Sequence, residues 1–303
     1  MNHPLFKKAV IWGCDLHEHT NSYVYAGFYK AFKAMGYDSY WLNEHSDVSG
    51  MNFSDTIFIT EWQHAKNIPK RKDCKYVLHN CNPVDYEGLH FIHLQTYRDI
   101  CRDNTCEHNH IGKPTKLNDQ GSWYLDDPRE RTIFQPWATD LLPHEFNFDD
   151  ADFKRLNHIF YCGSVNGGEY SNLEEVEHFK EAVAENHMRF HHLIPGATSF
   201  ESNRYLIRDS YLAPSIHGAW QAKAGYIACR VFKNISYGQL GGTNCWAAAE
   251  LLDGNIIYNS DTKQLFYDMK SKINDRAMIK RSMQLIKEKH TYINRIESIL
   301  SVL

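Results

Sequence analysis

The stretch from Ala9 to Leu42 constrains the fold more than any other part of the chain. Ala9-Val10-Ile11-Trp12 is a short apolar run, the pattern of a strand buried on both faces. Tyr23 to Met35 then carries Val24, Phe28, Ala31, Phe32 and Met35 at helical spacing, and Gly36 stands directly after it as a helix stop. Asp38 to Leu42 reads as a second strand. Strand, helix, glycine, strand is a βαβ unit, which demands a parallel sheet. The runs Thr56–Thr60, Lys75–His79 and His90–Leu94 continue that sheet.

The pattern breaks at Cys101 to Arg131, a polar stretch with Gly, Pro, Asp and Asn throughout that reads as a long loop or insertion. Order returns with Thr132–Trp137, a last strand of the first half. Leu141-Leu142-Pro143 and the acidic run Asp149–Asp152 read as a crossover. A second α/β half opens with the strand His158–Cys162 and the helix Leu173–Ala184, which puts Leu173, Val176, Phe179, Ala182 and Val183 on one face. Met188–Ile194 and Asn255–Tyr258 supply further strands. From Ile279 to Leu300, apolar residues recur every three or four positions and predict one closing helix along a domain surface. The expected fold class is therefore α/β, with two doubly wound Rossmann-like domains at 1–142 and 143–303. In such folds the strand C-termini face a cleft, where ligands bind.

Several function classes drop out on composition. The 303 residues suit two domains of roughly 150 each. A net charge of −4 gives no global reason to bind nucleic acid, so any phosphate recognition is local. No run approaches the ~20 apolar residues of a membrane span, and Ala9–Trp12 is too short for a signal-peptide core. The eight cysteines are scattered, which predicts reduced thiols and a cytoplasmic setting, a host cytoplasm if the chain is virus-encoded. The sequons at Asn52 and Asn234 are then chance matches.

Two regions of the second half carry phosphate-binding chemistry. Gly163-Ser164 ends a strand, and Val165-Asn166-Gly167-Gly168 leads on toward a helix. Glycines let backbone amides approach a phosphate, and a helix N-terminus adds a favourable dipole. A plain βα turn has the same look. Farther on, Arg230 and Lys233 stand three apart, on one face if helical. Gly238, Gly241 and Gly242 follow, with Thr243 and Asn244 as hydroxyl and amide donors. Two cations leading into a glycine-rich donor loop suit a diphosphate; surface cations and a helix C-cap are the other reading.

The segment Arg208–Tyr258 resembles the C-terminal domain of GT-B glycosyltransferases, where a basic residue precedes a helix ending in a glycine-rich turn against the donor's pyrophosphate. The order Gly163-Ser164, Arg230-Lys233, Gly241-Gly242-Thr243-Asn244 is that family's order, and Thr132–Pro143 resembles its interdomain segment. The resemblance is nearest to a branch found in environmental and large-virus sequences. It implies a UDP- or GDP-linked sugar as donor, a glycan or glycoconjugate hydroxyl as acceptor, no cofactor and no essential metal. A pair of glutamates seven residues apart, which many retaining members carry in the donor region, is missing, so retention and inversion both stay open.

In the first half, Cys14-Asp15-Leu16-His17-Glu18-His19-Thr20 follows the first strand directly. Under the GT-B resemblance this loop reaches the transfer point, where an imidazole or carboxylate can take the acceptor proton. His19, His17 and Asp15, in that order, are the candidates; capping of the next helix or acceptor binding is the alternative. Glu61 and Asn80 are secondary cleft candidates. The same loop also resembles the first metal motif of PHP-type phosphoesterases, with Asn43-Glu44-His45 where that family places an Asp-His pair. That resemblance implies a metal-dependent single barrel. Finally, Cys101, Cys106, His108 and His110 have zinc-ligand chemistry at atypical spacing.

Overall fold

The computed structural model describes residues 6–98, 116–117, 123–124, 131–168, 171–194, 196 and 198–303. The chain divides into two compact units: 1–96 with 101–135 and 292–303, and 97–100 with 136–291. The division at Gln135/Pro136 precedes the expected 142/143 boundary, and the last dozen residues group with the first unit rather than the second.

The first unit is built on β1 (Lys8–Trp12), α1 (Ser22–Ala34), β2 (Asp38–Leu42), β3 (Thr56–Glu61), β4 (Lys75–His79), β5 (His90–Gln95), β6 (Lys116–Leu117), β7 (Trp123–Tyr124) and β8 (Thr132–Phe134). Among the described residues the sheet order is β2-β1-β3-β4-β5-β8-β7-β6. The six strands from β2 to β8 run parallel, and β7 and β6 add an antiparallel edge. Strands β1 and β3 are buried nearly throughout, as their continuous apolar runs require. Val10, Trp12, Phe58, Tyr76 and Leu78 form one core cluster.

Gly36 ends α1 as the spacing predicts. At φ 84 it lets the Tyr37 amide reach the Phe32 carbonyl and its own amide reach Lys33, a complete Schellman turn. The Phe32 and Tyr37 rings close the turn 5.2 Å apart. From β1 the chain crosses through α1 to β2, then returns to β3 on the opposite side of β1. Direction reverses there, so the segments after Trp12 and Glu61 leave the same sheet edge at a topological switch point. Among the described residues the sheet runs between two different edge strands and is open, unlike the barrel implied by the phosphoesterase resemblance.

The second unit contains β9 (His158–Cys162), α2 (Leu173–Glu185), β10 (Arg189–Leu193), α3 (Phe200–Asp209), α4 (Ala219–Lys223), α5 (Cys229–Ser236), β11 (Gly242–Thr243), α6 (Trp246–Leu251), β12 (Ile257–Tyr258), α7 (Thr262–Lys272) and α8 (Arg276–Lys289). Its strands form the parallel pairs β10-β9 and β11-β12. The segment 211–216 runs between them: the Tyr211 amide donates to His158 and the Ser215 amide to Gly242. Pro214 has no amide to donate, which keeps this segment from a full ladder. Both units are thus Rossmann-like and α/β.

Helix α9 (Tyr292–Leu300) closes the chain within the first unit. Its Tyr292 ring packs 4.7 Å from Phe28, and a Cβ on Gly27 would lie 2.2 Å from that ring, so α1 needs glycine there. The expected single helix over 279–300 is instead two. His290 leaves helical geometry (φ −131, ψ 37), and its carbonyl accepts from the Thr139 amide. No described helix is long and apolar enough to cross a membrane.

Candidate functional site

In the second unit the chemistry gathers at the C-terminal end of β9. Gly163 follows the strand at φ 143, and a Cβ there would sit 2.9 Å from Arg230 Nη1. The backbone conformation therefore favours glycine, and the missing side chain leaves room for the guanidinium. Its amide does not face outward as expected: it donates to the Leu193 carbonyl and extends the strand pairing. Arg230 is the second residue of α5 and lies over the Tyr161 ring, 4.5 Å from the centroid. Its Nη1 is buried without a hydrogen-bond partner. Such a group is costly to leave unmet, about 1–3 kcal/mol or more for a charged donor. Lys233 is buried on the same helix, 5.3 Å over the Phe200 ring. Burial pushes the Cys162 thiol up to about 11, while Lys233 and Arg230 both pull it down, so both cations act at the end of β9.

The stretch Gly241–Asn244 is not the open donor loop that its composition suggests. Gly242 and Thr243 form β11, and every residue from Gly241 to Cys245 is buried. A Cβ on Gly242 would lie 2.1 Å from Met269 Sδ, so packing is what demands that glycine. Thr243 Oγ1 donates to the Ser215 carbonyl. Asn244 clasps the His217 backbone, accepting from its amide at 2.8 Å and donating to its carbonyl at 2.7 Å.

His217, which carried no signal in the sequence, is the residue these contacts serve. Its Nε2 accepts from the amide of Ala228, the residue that precedes α5, at 3.2 Å. Burial, then the Arg230 charge, pushes it down to about 3, so it stays neutral. Thr243 and Asn244 thus reach Arg230 indirectly, through His217 and the start of α5. Ser164 lies next to Gly163, and its carbonyl accepts from Asn172.

In the first unit the candidates lie on the segments that leave β1 and β3. Asp15 is exposed and accepts from Asn43. His17 is exposed at φ 77, its Nδ1 3.0 Å from Tyr23 Oη. Of the three expected residues, His19 alone enters a half-buried polar group, with its ring 5.3 Å from that of His64. The Cys14 thiol, His19 and His64 offer ligand atoms that all lie within 4.8 Å of one another. The pair His17 and His19, read as a metal motif, does not converge.

Burial lowers His19 and His64, raises Glu61 and pushes Cys14 up to about 11, with Glu18 adding to the last shift. Glu61 is 4% exposed and accepts from the Gln63 amide; its Oε2 lies 3.9 Å from His64 Nε2. That His64 nitrogen is buried without a hydrogen-bond partner. The Asn21 amide donates to His19 Nδ1, which keeps the proton of the neutral ring on Nε2. The structure thus adds His64, which the sequence concealed, and promotes Glu61. Asn80 stands at φ 56 after β4. Cys101–His110 lies outside the described residues. Cys14, Cys74, Cys81, Cys162, Cys229 and Cys245 are all free thiols, as their scatter predicts.

No family model and no curated protein matches the sequence. Solved structures do resemble the fold. A mutant O-GlcNAc transferase of Thermobaculum terrenum matches with a TM-score of 0.50 at 9% identity, over 99% of this chain and 68% of that one. An α-glucosyltransferase solved with UDP and a 13-mer DNA scores 0.46 at 7% identity, over 97% and 99%. A glycosyltransferase from Streptomyces nogalater scores 0.41 at 10% identity, over 98% and 99%. At these identities the likeness concerns the fold, which is that of GT-B glycosyltransferases.

Proposed function

We propose that this chain is a glycosyltransferase that moves a sugar from a UDP- or GDP-linked donor to a hydroxyl of a glycan or glycoconjugate. The observation that carries the reading is Arg230, whose buried Nη1 has no partner and stands beside a glycine that leaves room for it. A diphosphate oxygen is the group that would satisfy it. Arg230 and Lys233 contact the diphosphate in this reading, with Ser164 beside them. Gly163 gives access; Thr243 and Asn244 hold the arrangement through His217. Fixed positive charge there stabilises the leaving diphosphate as the glycosidic bond breaks.

His19 is the proposed base. To accept a proton at Nε2, its ring must first move its own proton to Nδ1 and give up the Asn21 bond, at a cost of about 1 kcal/mol. Acceptor binding supplies that in this scheme. The fold supports the reading, and the reaction is proposed to need no metal.

The test is a thermal-shift panel of EDTA-treated protein against UDP, GDP, ADP, TDP and CMP, followed by sugar-transfer assays with the matching donors. A ligand selective for the folded state raises the melting temperature by mass action. A rise with one diphosphate and none with CMP is expected. No response to any nucleotide would sink the donor assignment.

A further inference from the structure

We propose that Cys14, His19 and His64 form a binding site for a borderline-soft divalent cation, zinc above all, at the switch point of the first unit. The site itself does not rest on the transferase reading; only its effect on transfer does. Three side chains from two separate segments, one after β1 and one after β3, bring a sulfur and two imidazoles within 4.8 Å of one another. One thiolate with two imidazoles is a ligand set that zinc takes, at about 2.3 Å for sulfur and 2.0–2.1 Å for nitrogen.

A second observation is independent of the cluster. His64 Nε2 is buried and has no hydrogen-bond partner, a cost that a ligand bound at this nitrogen would remove. Asp15, Glu18 and Glu61 all act on the Cys14 thiol with negative charge, which favours a cation beside it. Glu61 flanks the site at 3.9 Å from that His64 nitrogen. Binding displaces the Cys14 proton to solvent and leaves both rings neutral. It also breaks the bond from the Asn21 amide to His19 Nδ1, whichever ring nitrogen ligates. Ligation through Nδ1 takes its lone pair, and ligation through Nε2 puts the proton on Nδ1. An ion here therefore removes His19 from service as a base, and zinc should inhibit any transfer that depends on it.

The test titrates cobalt into chelator-treated, full-length protein and follows the thiolate-to-cobalt charge-transfer band, with zinc then competing for the site. One equivalent of cobalt producing that band, displaced by zinc, is the expected result. Cys14→Ser should abolish the band, and His64→Gln should weaken cobalt binding by about 100-fold or more. The double variant Cys101→Ser/Cys106→Ser should leave both unchanged. An amide NMR shift at Asn21 on zinc addition gives a readout that survives poor folding of either ligand variant. No cobalt band in the parent protein overturns the proposal. So does a band that survives Cys14→Ser, or one that is lost with Cys101→Ser/Cys106→Ser.

Discussion

Replacing Arg230 with alanine should affect stability and ligand binding in very different measure. In the free protein the guanidinium lies over the Tyr161 face at 4.5 Å, a contact worth about 0.5–2 kcal/mol when partly desolvated. Against that stands a buried Nη1 with no partner, a penalty of about 1–3 kcal/mol that truncation removes. The two oppose each other, so the stability of Arg230→Ala should fall between about 1 kcal/mol below and about 2.5 kcal/mol above the parent. Bound to a diphosphate, the same group makes a charge-assisted hydrogen bond worth about 1.5–3 kcal/mol. Its loss raises the nucleotide Kd by about 10- to 150-fold. Urea unfolding measures the first quantity, and calorimetric titration with the best-binding nucleotide measures the second. Arg230→Lys should fall between, because an ammonium keeps charge but loses the planar fork. The reasoning fails if Arg230→Ala loses more than about 3 kcal/mol of stability while its nucleotide affinity is unchanged. Arg230 would then be a structural residue.

Other perturbations separate the remaining roles. His19→Gln should cut kcat by about 100-fold or more with little change in donor KM; His17→Ala, at an exposed side chain, should leave kcat within threefold, roughly. Equal effects of the two would remove His19 from the base role. Gly242→Ala should destabilise by about 1–3 kcal/mol through its clash with Met269, while folded protein keeps its nucleotide affinity. A collapse of affinity at unchanged stability would return that glycine to the phosphate. Stability should also fall in acid. His217 and His79 are buried neutral, pushed down to about 3 and about 4 from 6.5, so the unfolded chain binds protons that the folded one does not. Their contribution is complete above about pH 6.5 and diminishes as pH falls toward those values, by about 2 kcal/mol for each by pH 5. Unfolding free energies that are flat from pH 7 to 5 would contradict both burials.

Local features of the chain were legible without coordinates. The apolar runs of β1, β3 and β4 declare strands, because a strand covered on both faces is apolar along most of its length. The spacing of Val24, Phe28, Ala31 and Phe32, ended by Gly36, declares α1 because a helix repeats every 3.6 residues and glycine tolerates φ 84. The cations Arg230 and Lys233 could be placed on one helical face for the same reason. Glycines were the least reliable sign. A sequence does not distinguish one that admits a phosphate from one that admits Met269, since both need only the absence of a Cβ. His64 and His217 were invisible for a deeper reason: each takes its meaning from partners far along the chain. His217 matters because Asn244 and Ala228 come to it, and that meeting follows from parallel pairing near Ser215 and Gly242. His64 meets Cys14 and His19 only because β1 pairs with β3 in a register that sets Trp12 beside Thr60. Period and propensity act over a few residues and can be read in order. Register between distant strands is set by packing a whole core, so the groups it brings together at the strand ends belong to the tertiary structure alone.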